Sequence, residues 1–219
     1  MRRRHAAAAL VAAGLTPLAQ AQGGPVEGRQ YVRLGRALPA TTSEIDVVEF
    51  FFYTCPHCNA FDPALEAWVH QLPGDVSFRR VPVGGMAVHK LHQRMFYALE
   101  AIGALTPQVH AGIFNAFHRA GLEANDEASV IALVGKLGVD TTRFKAALND
   151  FSLQLKVGRG NALAEAAGVD SVPSLVLAGR WRTSPAMAGT PGQDEVVQGQ
   201  QALAVADFLL KQARSGKTS

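Results

Sequence analysis

Cysteine is nearly absent: the 219-residue chain has two, Cys55 and Cys58, and both stand in one Cys-Pro-His-Cys loop. So few cysteines exclude a disulfide framework. They also leave zinc short of ligands, because a structural site takes about four, no second Cys pair exists, and the histidines beyond His57 are scattered. Membrane-length apolar runs are missing too. The run from Ala6 to Leu18 is too short to span a bilayer and is interrupted by Pro17. Charge of one sign is scarce: the formal net charge is +3, and Arg2, Arg3 and Arg4 alone supply that excess. The chain therefore carries no basic footprint for nucleic acid or an acidic membrane surface. It also has no repeat and no low-complexity tract, which excludes solenoids and long disordered tails.

What is present begins with a leader. Met1-Arg2-Arg3-Arg4-His5 is basic, Ala6 to Leu18 is apolar, and Ala19-Gln20-Ala21 is a small-x-small site. This pattern is that of a secretory signal peptide over residues 1–21, cleaved near Ala21 so that the mature chain starts at Gln22 outside the cytoplasm. No cysteine lies near the cleavage site to carry a lipid anchor, so no stable membrane insertion is expected. Outside the cytoplasm a dithiol can rest oxidised.

The dithiol closes an apolar, β-branched and aromatic run, Val47-Val48-Glu49-Phe50-Phe51-Phe52-Tyr53-Thr54, and is followed by Phe61, Leu65, Trp68, Val69 and Leu72 at helical spacing. Cys55-Pro56-His57-Cys58 thus stands where a buried strand stops and an amphipathic helix starts. A helix N-terminus presents unpaired N–H groups and partial positive charge, and both favour a thiolate. Pro56 suits the first turn, where its missing N–H costs nothing. The helix end contributes at most ~2 kcal/mol, which lowers a thiol by only about one to one and a half pH units. A larger effect needs direct donors to sulfur, from the backbone N–H groups of His57 and Cys58 or from the His57 ring. Cys55 is expected to be the exposed nucleophile and Cys58 the buried resolving thiol. A structural bridge is the blander reading, but a disulfide within one helical turn closes a tiny loop and gains little entropy.

In chain order, Gln22 to Gly28 reads as an arm, Tyr31 to Leu34 as an edge strand, Leu38 to Ser43 as a loop and Ile45 to Phe52 as the central strand, buried on both faces. Glu49 inside that strand is an anomaly, since a buried carboxylate needs a partner or a proton. It either pairs with an arginine, Arg79 or Arg80, or accepts a proton beneath the dithiol on behalf of Cys58. Pro63 predicts a kink in the first helix, and Pro73-Gly74-Asp75 ends it. Val76 to Val83 is the next strand. The pattern then turns helical for some 70 residues, with stripes Val88-Leu91-Met95-Leu99-Ile102 and Val109-Ile113-Phe117. Thr106-Pro107 and Asp126 are helix starts, Thr141 or Thr142 opens another helix, and a longer one carries Leu153, Leu155, Leu163 and Ala167. His89 and His92 are expected on a solvated face. Beyond Pro173, Ser174 to Leu177 reads as a strand whose preceding proline fits either an edge or a turn, and Ala178-Gly179-Arg180-Trp181 as a hairpin into a second strand. Thr183 to Gln193 is a loop, Asp194 caps a final helix, and Lys211 to Ser219 is a fraying tail.

Strand, Cys-x-x-Cys helix, strand, helical block, Val-Pro strand, hairpin and helix make an α/β chain that resembles the thioredoxin fold with an inserted all-helical domain. Val48-Glu49-Phe50-Phe51 ahead of Cys55-Pro56-His57-Cys58, then Phe61 and Ser171-Val172-Pro173-Ser174, are similar to the DsbA family of periplasmic thiol:disulfide interchange proteins. The division this implies is a thioredoxin-like domain over 22–84, a helical insertion over 85–155, the second thioredoxin-like part over 156–213, and a flexible tail over 214–219. The resemblance also implies a cis Val172-Pro173 bond whose Val172 backbone pairs with substrate beside Cys55, and a peptide groove bordered by Phe52, Tyr53 and Val172. Glu49 matches the family's buried acid, Asp62 stands where a glutamate is common, and Arg79 or Arg80 stands near a buried lysine. No cofactor is implied beyond the Cys55–Cys58 disulfide. The implied function is disulfide donation to reduced exported proteins, with reoxidation by a membrane quinone-linked oxidase of the DsbB type. A disulfide isomerase or reductant is the first rival; isomerases of this superfamily usually carry an N-terminal dimerisation domain, for which Gln22 to Gly28 leaves no room. A non-catalytic peptide-binding chaperone module is the second. With no extra domain and no long apolar tail in view, a monomer is expected.

Overall fold

A computed structural model of the chain describes residues 23–39 and 44–216. The expected signal peptide and cleavage site, residues 40–43 of the expected loop, and residues 217–219 of the expected tail lie outside the described residues.

One sheet has its strands in the order β1 (Val32–Arg33), β5 (Trp181–Thr183), β4 (Ser174–Leu177), β2 (Ile45–Phe51), β3 (Val76–Pro82). β2 runs parallel to β3 and antiparallel to β4. A parallel pair needs a crossover connection, and α1 (Pro56–Val69) supplies it. Between β3 and β4 come α2 (Ala87–Ala101), α3 (Pro107–His118), α4 (Glu127–Lys136), α5 (Thr141–Leu148) and α6 (Ser152–Ala166); α7 (Pro185–Ala188) and α8 (Glu195–Ser215) follow β5.

Every residue of β2 but Asp46 is buried, which bears out a strand covered on both faces. Its period of two sorts the side chains. Val47 packs with Phe61 and Leu65 of α1 and with Leu209 of α8, whereas Val48 and Phe50 pack with Ala164 of α6 and Val176 of β4. Phe51, the last residue of the strand, belongs to a third cluster formed with α2 to α5. One strand therefore anchors three packed regions, and the chain emerges from it at their junction. The hairpin between β4 and β5 turns on Ala178 (φ 52°) and Gly179 (φ 61°), two left-handed residues whose twist matches the flanking strands. A Cβ at Gly179 would lie 2.8 Å from the Leu38 carbonyl oxygen.

Several sequence expectations need correction. α8 runs to Ser215 with Ala213 buried, and Arg214 grips Asp75 at 2.8 and 2.9 Å, so the fraying expected from Lys211 does not start there. The loop from Thr183 holds α7, capped by Ser184. Asp140, not Thr141 or Thr142, caps α5 through the N–H groups of Thr142 and Arg143, because a carboxylate satisfies two orphan donors at once. Leu155 points outward while Leu153 is buried, as two residues only two apart on a helix must face different ways. β4 is an interior strand, so the edge alternative falls, and Pro173 lies one residue before it, where no ladder bond is lost. His89 and His92 are buried rather than solvated: His89 stacks on Phe52 with centroids 4.6 Å apart, and His92 Nε2 donates to the Ala124 carbonyl at 2.8 Å.

Candidate active site

Cys55 is the residue that turns β2 into α1. Its backbone is extended (φ −80°, ψ 117°), its Sγ accepts the Cys58 N–H at 3.3 Å, and Pro56 fills the first helical position. A sulfur thus takes the place that a Ser or Asp oxygen holds in an ordinary N-cap. Both cysteines are free thiols. Cys58, one turn on, is fully buried, and Cys55 keeps 4 % of its exposure. Cys55 is the more accessible thiol but is far less exposed than expected, because its Sγ lies 3.6 Å from the Val172 carbonyl across a narrow gap. The Val172-Pro173 peptide is cis, as expected. The register that sets Phe50 against Ser174 brings that bond to the junction of β2 and α1.

The two thiols divide sharply. Cys55 is lowered to about 6, first by a hydrogen bond from the Cys58 thiol, against the opposing effect of burial, and then by the N–H groups of Cys58 and His57 and the His57 charge. Cys58 is pushed up by burial first, and then by the neighbouring Cys55 and Glu49. His57 reaches outward, with Nδ1 2.6 Å from Glu195 Oε1 at the start of α8 and both side chains largely exposed. Such a surface pair contributes modestly, about 0.2–1 kcal/mol.

Beneath the dithiol lies a charged cluster. Glu49, on the strand face that looks toward α1, accepts from Arg80 Nε at 2.8 Å, which answers the choice between the two arginines; Arg79 holds Asp46 instead. Burial raises Glu49 to about 7 in spite of the Arg80 charge. Arg80 Nη2 also reaches Glu66 at 2.8 Å and Asp62 at 3.4 Å. His110 Nδ1 meets the Tyr53 hydroxyl at 2.9 Å, and its Nε2 lies 3.3 Å from Asp62 but off the hydrogen-bond direction. Burial lowers His110 and keeps it neutral.

Of the expected groove residues, Phe52 and Val172 are part-exposed. Tyr53 is not at the surface: its ring is wholly buried among Phe51, His110 and Phe114, and its carbonyl accepts from His118 Nε2 at 2.7 Å. The aromatic run reverses direction after β2, and this tucks Tyr53 under α3. Glu66, His110, His118 and Glu195 are site residues that the sequence reading misses. Glu66 carries a readable signal, since Cys58, Asp62 and Glu66 recur every four residues along α1. The other three arrive from distant segments. Among the described residues no three His, Cys, Asp or Glu side chains cluster as a metal site, and no helix is long and apolar enough to cross a membrane.

A sheet that delivers a Cys-x-x-Cys pair to a helix start, against a Val-Pro turn from the adjoining strand, defines a thioredoxin-fold thiol:disulfide oxidoreductase, here with a helical block inserted after β3. The family model described as "DSBA-like thioredoxin domain" matches residues 85–204. The thiol:disulfide interchange protein DsbA of Bordetella parapertussis is 37% identical over 214 residues, 97% of this chain and 96% of that protein. That of Azotobacter vinelandii is 37% identical over 191 residues, 87% of this chain and 85% of its own. The crystal structure of Pseudomonas aeruginosa DsbA superposes with a TM-score of 0.82 at 30% identity, covering 89% of this chain and 97% of that one. The chain belongs to the DsbA family of thiol:disulfide interchange proteins.

Proposed function

We propose that the Cys55–Cys58 disulfide is the oxidant delivered to reduced, newly exported proteins in the periplasm. The division of the two thiols supports this, with Cys55 lowered to about 6 and its sulfur facing the Val172 carbonyl. A substrate thiolate attacks the Cys55 sulfur, the Cys55–Cys58 bond breaks, and its electron pair leaves on Cys58. A buried Cys58 with so high a proton affinity cannot stay a thiolate, so it takes a proton, and Glu49 below it is the group that gives one. A second substrate thiolate then attacks the substrate sulfur, and Cys55 leaves as a stabilised thiolate. Two electrons remain on the protein as Cys55 thiolate and Cys58 thiol. A stabilised thiolate favours the reduced form and makes the disulfide a strong oxidant, a relation for which DsbA itself is the standard example.

Phe52 and Val172 border the groove that receives the substrate chain, with the Val172 backbone as its pairing edge. Pro173 holds that edge against Cys55, and Pro56 and His57 shape the start of α1. The redox group is the dithiol itself. A membrane quinone-linked oxidase of the DsbB type would restore the disulfide by removing the electron pair. The helical insertion is residues 85–155, followed by the second thioredoxin-like part, and the protein works as a monomer.

The redox equilibrium of the mature protein against glutathione, followed by thiol trapping, tests this reading. The expected potential lies well above the roughly −270 mV of thioredoxin, and Cys58→Ala should trap exported clients as mixed disulfides through Cys55. A potential near that of thioredoxin would replace disulfide donation with a reductant role.

A further inference from the structure

The guanidinium that faces Glu49 is not Glu49's alone. Cys58, Asp62 and Glu66 lie along one stripe of α1. Arg80 donates Nε to Glu49 at 2.8 Å and Nη2 to Asp62 at 3.4 Å, and the same Nη2 lies 2.8 Å from Glu66 Oε1 as an ion pair off the hydrogen-bond direction. One permanent cation therefore serves three carboxylates. The burial is graded, with the side chain of Glu49 2 % exposed, that of Arg80 13 % and that of Glu66 20 %. On the Glu66 side a cavity of about 330 Å³ opens, lined among others by Glu66, His70, Arg80, Glu100, Thr106 and His110. Cys55, Cys58, Phe52 and Val172 do not line it, so Glu66 connects the cluster to a space separate from the substrate groove.

The groups facing Glu49 from each packed element are few. α1 presents Cys58, Asp62 and Glu66; β3 presents Arg80, while its Arg79 pairs with Asp46; the turn after β2 presents Tyr53, which stays protonated because burial raises it; α3 presents the neutral His110. The carboxylates exceed the cations, so the cluster holds Glu49 only if part of the negative charge is neutralised by a proton.

We propose that Glu66 is a positioning residue for proton exchange at Cys58: it takes up part of the Arg80 guanidinium and leaves Glu49 undercompensated, able to give a proton to the Cys58 sulfur and to take it back. This rests on the reading of Glu49 as the proton partner of Cys58. When the Cys55–Cys58 bond breaks, the electron pair goes to Cys58, the Glu49 carboxyl proton follows it, and the Glu49 carboxylate that remains is held by Arg80. On reoxidation the Cys58 proton returns to Glu49 as its sulfur re-forms the disulfide. With Glu66 neutralised, Arg80 turns wholly to Glu49 and Asp62. Glu49 is then more fully ionised at neutral pH and carries a proton to give in a smaller fraction of molecules.

The test is the rate at which dithiothreitol reduces the oxidised full mature protein, measured by stopped-flow tryptophan fluorescence between pH 4.5 and 9 and expressed per dithiothreitol thiolate. The native chain should show an inflection near neutrality, and Glu49→Gln should remove it. Glu66→Gln should move it to lower pH by about one unit, while Glu66→Asp, which keeps the charge, should return it toward the native position. The Cys55 alkylation profile should be the same in the native chain and in Glu66→Gln. An unmoved inflection in Glu66→Gln, with Glu49→Gln still abolishing it, overturns the positioning role and leaves the Glu49 reading intact. An inflection that survives Glu49→Gln overturns both. A Cys55 profile that shifts together with the inflection marks a general lesion of the site and also overturns the role of Glu66.

Discussion

Glu49 and Cys55 are tuned in opposite senses by their surroundings, and each leaves a pH signature. Burial raises Glu49 from 4.5 to about 7. The folded state then holds a proton that the unfolded chain releases, so its stability falls as pH rises from the unfolded value through the folded one. A shift of that size is on the order of 3 kcal/mol. Denaturant unfolding of Glu49→Gln, which does not titrate, should gain on the native protein by about that amount between pH 4 and pH 8. A constant difference would mean that Glu49 titrates in the folded protein as it does in the unfolded chain. Cys55 works the other way. Its lowered value means that reduced protein gains stability as pH rises above about 6 toward the unfolded thiol range, and loses it as pH falls through about 6. Iodoacetamide alkylation of Cys55 should accordingly inflect near 6, and an inflection near the ordinary thiol value of about 8.5 would remove the stabilised leaving group from the mechanism.

At the scale of elements, the position of α1 is fixed by its contact with α8. Gly199 of α8 lies against Phe61 of α1, and a Cβ there would sit 2.9 Å from Phe61 Cδ2. Helix propensity alone favours Ala over Gly by about 1 kcal/mol, but forcing a packed ring aside costs about 1–3 kcal/mol. Phe61 is buried in the same cluster as Leu65, Val47 and Leu175, so it has little room to yield and the second effect should win. Gly199→Ala is expected to lower stability by a net of up to about 2 kcal/mol, read as a lower urea midpoint. A raised midpoint would show that the ring moves freely. The same helix brings Glu195 to His57, so α8 touches the loop from which α1 starts.

At the scale of the molecule, Phe51 joins sheet to helical block. Its ring lies against Tyr53, Phe96, His110 and Phe114 at centroid distances of 5.1 to 6.0 Å. Trp68 and Trp181, the two tryptophans, both pack in the cluster between the sheet, α1 and α8, whereas much of the helical signal comes from the inserted block. Phe51→Ala should cost about 3–5 kcal/mol. It should also separate the thermal transition seen by far-UV circular dichroism from that seen by tryptophan emission, which should coincide in the native chain. Coincident transitions in the variant would mean that sheet and helical block remain one cooperative unit without this ring.

The sequence by itself determined what depends on neighbours along the chain. The apolar run that ends in Cys55 and Cys58, the Pro56 start, the caps at Thr106, Asp126 and Asp194, and the hairpin at Ala178-Gly179 all follow from local rules of pattern and capping, and the structure bears them out. Only the tertiary structure decided which groups meet across long separations. Arg80 rather than Arg79 faces Glu49 because the β2–β3 register sets those two side by side on the face toward α1. His110 and His118 come to Tyr53 from α3, and Glu195 comes to His57 from α8. His89 and His92 are buried because the helical block folds over them. Register and packing angle are settled by the whole set of buried contacts together, so no single stretch of sequence carries them.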